Sequence, residues 1–132
     1  MEVVKHLEDV IVSFPYSLAS ETLRRLAFYL VAIRSSKNSV IILEEPEAHA
    51  YPQYIKQLAE TIATDENQYF LSTHNPYLFL PLLASAKKDE IGVHVVYADH
   101  YETKEKELTP GDLEEAFEID IFSNLERYLQ PA

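Results

Sequence analysis

The chain contains no cysteine and no tryptophan, and only two of its 132 residues are glycine. Without cysteine there is no disulfide frame, no thiol nucleophile and no thiolate zinc site. With glycine only at Gly92 and Gly111, no G-x-x-x-x-G-K-[ST] loop is present. Such a loop needs bare backbone amides around the phosphates and a lysine that reaches them. No apolar run approaches the roughly 18 residues that span a membrane. The opening Met1-Glu2-Val3-Val4-Lys5-His6 lacks the pattern of a secretory signal. Basic residues are scarce too: 11 Lys and Arg stand among 22 Asp and Glu, for a formal charge of −11. Phosphate-backbone binding draws on clustered cations, so this segment is not expected to grip nucleic acid. The expectation is a cytoplasmic protein with no membrane partner.

What is present suits a globular fold. An apolar share of 47% at this length is enough for a real core, and one domain over 1–132 is expected. The chain is organised around Ser39-Val40-Ile41-Ile42-Leu43-Glu44-Glu45-Pro46-Glu47-Ala48-His49. A short apolar run closed by a turn signal reads as a strand buried on both faces, as in a parallel sheet. Ligands of such sheets sit beyond the carboxyl ends of the strands, where Glu44 and Glu45 fall.

The remaining elements follow from spacing and punctuation. Val10 to Phe14 reads as a short strand ended by Pro15. Ser20 is placed to cap a helix over 21–33, with Glu21 in its first turn. Leu23, Leu26, Ala27, Leu30 and Val31 give that helix an apolar face, while Arg24 and Arg25 oppose its dipole and suit a partner. Pro52 starts a helix over 52–64, with Ile55, Leu58, Ala59 and Ile62 inward. Tyr69-Phe70-Leu71-Ser72 reads as a second buried strand. Strand, helix, strand at this length predicts a right-handed βαβ unit with both strands in one parallel sheet. An apolar helix over 76–86 follows, with Leu78, Phe79, Leu82 and Leu83. A third strand over 91–97 should turn through 102–106 into a short strand near Glu107 and Leu108. One or two helices over 112–128, breaking near Asp120, complete the α/β pattern. Gln130-Pro131-Ala132 is the only candidate linker.

The candidate chemistry sits at the strand ends. Glu45, fixed by Pro46, could orient and deprotonate a water, and Glu44 could hold a metal ion through water. The alternative is a solvated acidic loop. His74, ending the second strand, could donate to a phosphate oxygen or simply cap the sheet edge. His94, Asp99 and His100 suggest a metal site only weakly, since strand spacing separates the two histidines by about 20 Å; surface histidines on a hairpin are the simpler reading.

Taken together, hhhh-Glu44-Glu45-Pro46, a helix, and hhh-Ser72-Thr73-His74 resemble the Walker B and switch-histidine strands of ABC-class P-loop ATPases. The resemblance is to the soluble SMC, RecF and OLD-like branch, AAA-type ATP-binding proteins of archaeal character. Glu45-Pro46-Glu47-Ala48-His49-Ala50-Tyr51-Pro52 is similar to that branch's Glu-Pro-Glu-Ala-His motif before a proline-started helix. The likeness covers 14–83.

It implies a parallel-sheet core with flanking helices, followed by a C-terminal hairpin and helices. Residues 16–25 would be signature-like, 40–45 the Walker B strand, 46–52 a D-loop-like turn and 71–74 the switch-histidine strand. By the same resemblance Glu45 would be the catalytic base, His74 the γ-phosphate sensor and Glu44 the residue near Mg²⁺. Ser20 or Ser17 would be the signature serine that contacts nucleotide, and Glu47 and His49 the loop that speaks across a dimer. The implied cofactors are ATP and Mg²⁺. Partners would be a P-loop segment or subunit and, with ATP bound, a second copy. This chain would be the C-terminal part of such a core, inactive by itself. A different reading is a non-catalytic dimerisation or interaction module with an ATPase-derived fold.

Overall fold

The computed structural model describes residues 2–7 and 10–129; the tail at 130–132 lies outside them. The chain opens with an antiparallel hairpin of β1 (Glu2–Leu7) and β2 (Val10–Pro15). The first strand was not expected, because charged residues interrupt its apolar ones. A short 3-10 turn, Tyr16–Leu18, leads into α1 (Glu21–Ser35). Ser20 caps α1 as predicted, its hydroxyl accepting from the Leu23 amide at 3.3 Å.

The predicted βαβ unit forms. Strand β3 (Val40–Glu44) pairs in parallel with β4 (Gln68–Ser72), and α2 (Pro52–Thr64) connects them. The register runs from Val40 opposite Gln68 to Glu44 opposite Ser72, so the two strands end level. Asn67 locks the opposite end. Its side chain accepts from the Ser39 amide at 2.9 Å and donates to the Ser36 carbonyl at 3.0 Å and to Asp65 at 2.7 Å.

Side chains alternate across this pair as strand geometry requires. Leu43 is buried, and Ile41, Tyr69 and Leu71 pack beside it. They meet Ile55, Leu58, Ala59 and Ile62 of α2, every one of the residues expected inward. The opposite face corrects the reading of strands buried on both sides. Val40 is 58% exposed, Ile42 78% and Phe70 57%. Their period-two spacing puts them all on the side away from α2, where no described element covers them.

Helix α1 also departs from expectation. Its buried residue is Ile33, with Tyr29 packed partly against the core, whereas Val31 is 64% exposed. The helix is apolar on more than one side, so periodicity alone did not select the packed one.

Helix α3 (Pro76–Ser85) serves two cores. Leu78 and Leu82 join the first, with Ile33, Leu43 and α2. Phe79 and Leu83, about 100° round the helix, join a second with Val95, Leu108, Ala116, Ile121 and Tyr128. A strongly apolar helix needs cover on more than one side, and α3 finds it by packing into both cores, with Tyr77 left 62% exposed.

The second layer holds the hairpin β5 (His94–Asp99) and β6 (Glu102–Glu107). The charged stretch read as a turn is itself the strand, and the turn falls at His100 and Tyr101. Both have left-handed φ, 47° and 68°, the conformation that two-residue hairpin turns require. The backbone ladder holds β6 to β5, and side chains meet across it: His94 with Glu105 at 2.6 Å, and Asp99 with Lys104 at 2.5 Å. Thr109 and Asp112 cap α4 (Pro110–Glu115) reciprocally. The terminal pattern does break near Asp120, whose carboxylate accepts from the Phe122 amide at 3.1 Å and from the Ser123 hydroxyl at 2.5 Å. Helix α5 (Leu125–Leu129) follows.

Candidate active site

The strand ends place the predicted acid and histidine together. After Glu44 the chain leaves the sheet at Glu45, whose amide still donates to the Ser72 carbonyl at 3.0 Å. Glu45 has a φ of 40°, a left-handed conformation that costs an L-residue about 1–2 kcal/mol. Proline follows at once, and the segment folds into two successive turns: the Ala48 amide donates to the Glu45 carbonyl and the Ala50 amide to that of Glu47, both at 3.0 Å. His49, with φ 63°, closes this double turn. Strain of this kind concentrates where a side chain must be aimed.

From the neighbouring strand end, Nδ1 of His74 lies 2.9 Å from Oε1 of Glu45. Both side chains are substantially exposed, 77% and 49%, so this pairing adds little stability. It does leave a carboxylate and an imidazole in close contact at the solvent-facing mouth of a parallel sheet. Such a pair can take a proton from a water and hold a polar group beside it.

Glu44 lies one residue earlier, exposed on the bare side of the sheet opposite Ser72. An exposed carboxylate beside a hydroxyl suits Mg²⁺, which takes one or two protein oxygens and fills its octahedron with water and phosphate. Among the described residues, no group of three or more potential metal-ligating side chains converges anywhere. Glu44 offers one exposed carboxylate at the strand end.

Two sequence-predicted residues sit apart from the strand ends. Ser17 is exposed in the 3-10 turn, and Ser20 uses its hydroxyl to cap α1. The link between that region and the strand ends is Thr22, which donates to the His49 carbonyl at 2.7 Å. That bond sets the first turn of α1 against the turn after β3, whereas Arg24 stands about 200° round the helix from Thr22. Glu47 turns inward instead. It is 4% exposed, and its Oε1 accepts a short hydrogen bond from the Thr73 hydroxyl.

Thr73 and Thr22 were not singled out from the sequence. Their only signals were a hydroxyl directly before His74 and another in the first turn of α1. His94 and His100 pair with Glu105 and Asp99 on the far hairpin, each at 2.6 Å.

Residues 2–80 match the model of a family described as AAA domain, putative AbiEii toxin, Type IV TA system. The chain belongs to this family. Its members share the AAA-type ATPase domain, and the matched stretch contains β3, α2, β4 and the Glu45–His74 pair. Among solved structures, an SMC ATPase described for its ATP-driven dimerization and DNA-stimulated activation is similar in fold, with a TM-score of 0.63. The two are 18% identical, and the likeness covers 99% of this chain and 74% of that one. No curated protein matches the chain. No described helix is long and apolar enough to cross a membrane.

Proposed function

We propose that this chain supplies the hydrolytic half of an ABC-type ATP site. In this reading Glu45 draws the proton from the attacking water. His74, 2.9 Å from Glu45, faces the terminal phosphate and donates to it. Glu44 stands beside Mg²⁺, which when bound would offset the phosphate charge. The observation that carries the proposal is the 2.9 Å approach of His74 to Glu45 from the level ends of two parallel strands.

Residues 40–45, 46–52 and 71–74 take the Walker B, D-loop and switch-histidine places, and 16–25 the signature place. Ser20, or else Ser17, contacts nucleotide held by an opposing subunit. The Thr22–His49 bond supports this by placing the α1 N-terminus beside the turn after β3. His49 and the backbone of Glu47 would face that dimer junction, while the Glu47 carboxylate stays inside. The ATP phosphates need a P-loop that this sequence does not contain, supplied by another segment or subunit. The uncovered face of Val40, Ile42 and Phe70 favours this, because parallel sheets are usually covered on both faces. The two cores share α3, which supports reading 1–132 as one domain.

The test is ATP binding and turnover, with the chain alone and joined to a P-loop-bearing segment encoded beside it. The chain alone should neither bind ATP tightly nor hydrolyse it. In the joined protein, Glu45→Gln should retain ATP while turnover falls about 100-fold or more, the usual scale of a lost general base. Unchanged turnover in that variant removes Glu45 from the mechanism. If no P-loop partner restores binding, the chain is a non-catalytic interaction module built on the same fold.

A further inference from the structure

Glu47 is the only charged residue among the described ones that is buried. Enclosing a carboxylate costs several kcal/mol unless its oxygens find partners. One oxygen has a partner, since Oε1 accepts from Thr73; Oε2 is buried with none. A residue that follows Pro46 in a tight turn could easily have faced solvent, so its inward position calls for a reason.

The hydrogen bonds around Thr73 supply one. Its hydroxyl donates to Glu47 and accepts from the Asn75 amide at 3.0 Å. Asn75 in turn caps α3, its side chain accepting from the Tyr77 amide at 2.8 Å. His74 lies between these two fastened residues. The histidine that meets Glu45 is thus held from one side by α3 and from the other by a carboxylate two residues beyond Glu45 itself.

A second buried atom without a partner lies in a residue of the same region. Glu47 and Arg25 line the same cavity of about 10 Å³ between α1 and the turn after β3. Nε of Arg25 is likewise buried without a partner.

We propose that Glu47 is a positioning residue: through Thr73 it sets the place of His74 opposite Glu45. The inference builds on the proposed roles of Glu45 and His74. Its test reads geometry rather than turnover, so each reading can fail without the other.

In the isolated chain, the ¹⁵N resonance of His74 Nδ1 reports its contact with Glu45, and Glu45→Gln calibrates the shift that the carboxylate produces. Thr73→Val keeps the shape and removes the hydroxyl. It should abolish the Glu45-dependent shift while backbone amides of α2 and β3 stay in place. Thr73→Ser should restore the shift. Glu47→Gln, which keeps an acceptor oxygen, should retain it, and Glu47→Leu should lose it. A folded Thr73→Val whose His74 resonance still matches the wild type overturns the proposal. Should Glu47→Leu fail to fold, the two Thr73 variants decide the matter.

Discussion

The Thr22 hydroxyl and the His49 carbonyl meet at 2.7 Å, joining the first turn of α1 to the strained turn behind β3. The contact is exposed and neutral, so its net worth is about 0.5–1 kcal/mol. Thr22→Val should lower stability by that amount in urea unfolding, and Thr22→Ser should not. If the α1 N-terminus works across a dimer, Thr22→Val should also weaken ATP-dependent association in the complete protein, measured by sedimentation.

Asn67 fastens the start of both parallel strands. It holds the Ser39 amide and the Ser36 carbonyl, groups on a segment 28 and 31 residues away. Asn67→Ala leaves both without their partner and should cost about 2 kcal/mol, seen as a lower urea midpoint with an unchanged slope.

Asp65 makes part of that latch sensitive to pH. Burial pushes its carboxyl up, but hydrogen bonds from Tyr69 and Asn67 outweigh this and hold it below the ordinary 3.8. A depressed native value means the carboxylate contributes fully above the unfolded pKa. The contribution is lost as pH falls through the folded one. Stability should therefore decline below about pH 4 more steeply in the wild type than in Asp65→Asn, compared by urea titration from pH 6 to pH 2.5. Equal slopes would show that Asp65 carries no linkage.

The two faces of the sheet should respond oppositely to substitution. Ile33, 1% exposed, closes the covered side; Ile33→Ala should cost about 2–5 kcal/mol by leaving a cavity. Ile42, 78% exposed on the bare side, should tolerate Ile42→Ser within about 0.5 kcal/mol and gain solubility. When joined to a P-loop segment, the same change should become destabilising, because that face is then enclosed. Thermal melts of both forms make the comparison.

Glu45 stands in a conformation that glycine adopts without penalty. Glu45→Gly should leave the fold at least as stable as wild type, by up to about 1 kcal/mol, since the exposed His74 pairing contributes little. Glu45→Val, β-branched at a positive φ, should destabilise it by more than that gain. Calorimetric melting of the three proteins gives the order.

Sequence made some elements legible and others not, for local reasons. Helices α2 and α3 start at prolines and carry apolar residues at three- and four-residue spacing, so their ends and inner faces could be read directly. The places of β3 and β4, short apolar runs closed by turn residues, could be read as well, but not that one of their faces lies bare. Strand β6 has no apolar alternation; Glu, Lys and Thr fill it, and it is held by its backbone ladder to β5, with side-chain contacts across it. Helix α1 is apolar around too much of its girth for periodicity to choose Ile33 over Val31. The pairing of Glu45 with His74 could be anticipated because each ends a strand of one parallel pair. The Glu47–Thr73 contact could not, because a side chain's inward turn depends on the packing of α1 against the turn after β3.

The two-sided burial of α3 reaches further than packing. The family match ends at residue 80, midway along a helix that begins two residues after His74 and whose second face is covered by the C-terminal hairpin and helices. Trimming the chain at that boundary would remove Leu82 and Leu83, strip Phe79 of its cover and fray the helix whose N-terminus anchors Asn75. The hairpin and terminal helices, which contribute no atom to the candidate site, are then its buttress. Their loss would be felt first as a histidine that no longer stays where the glutamate can reach it.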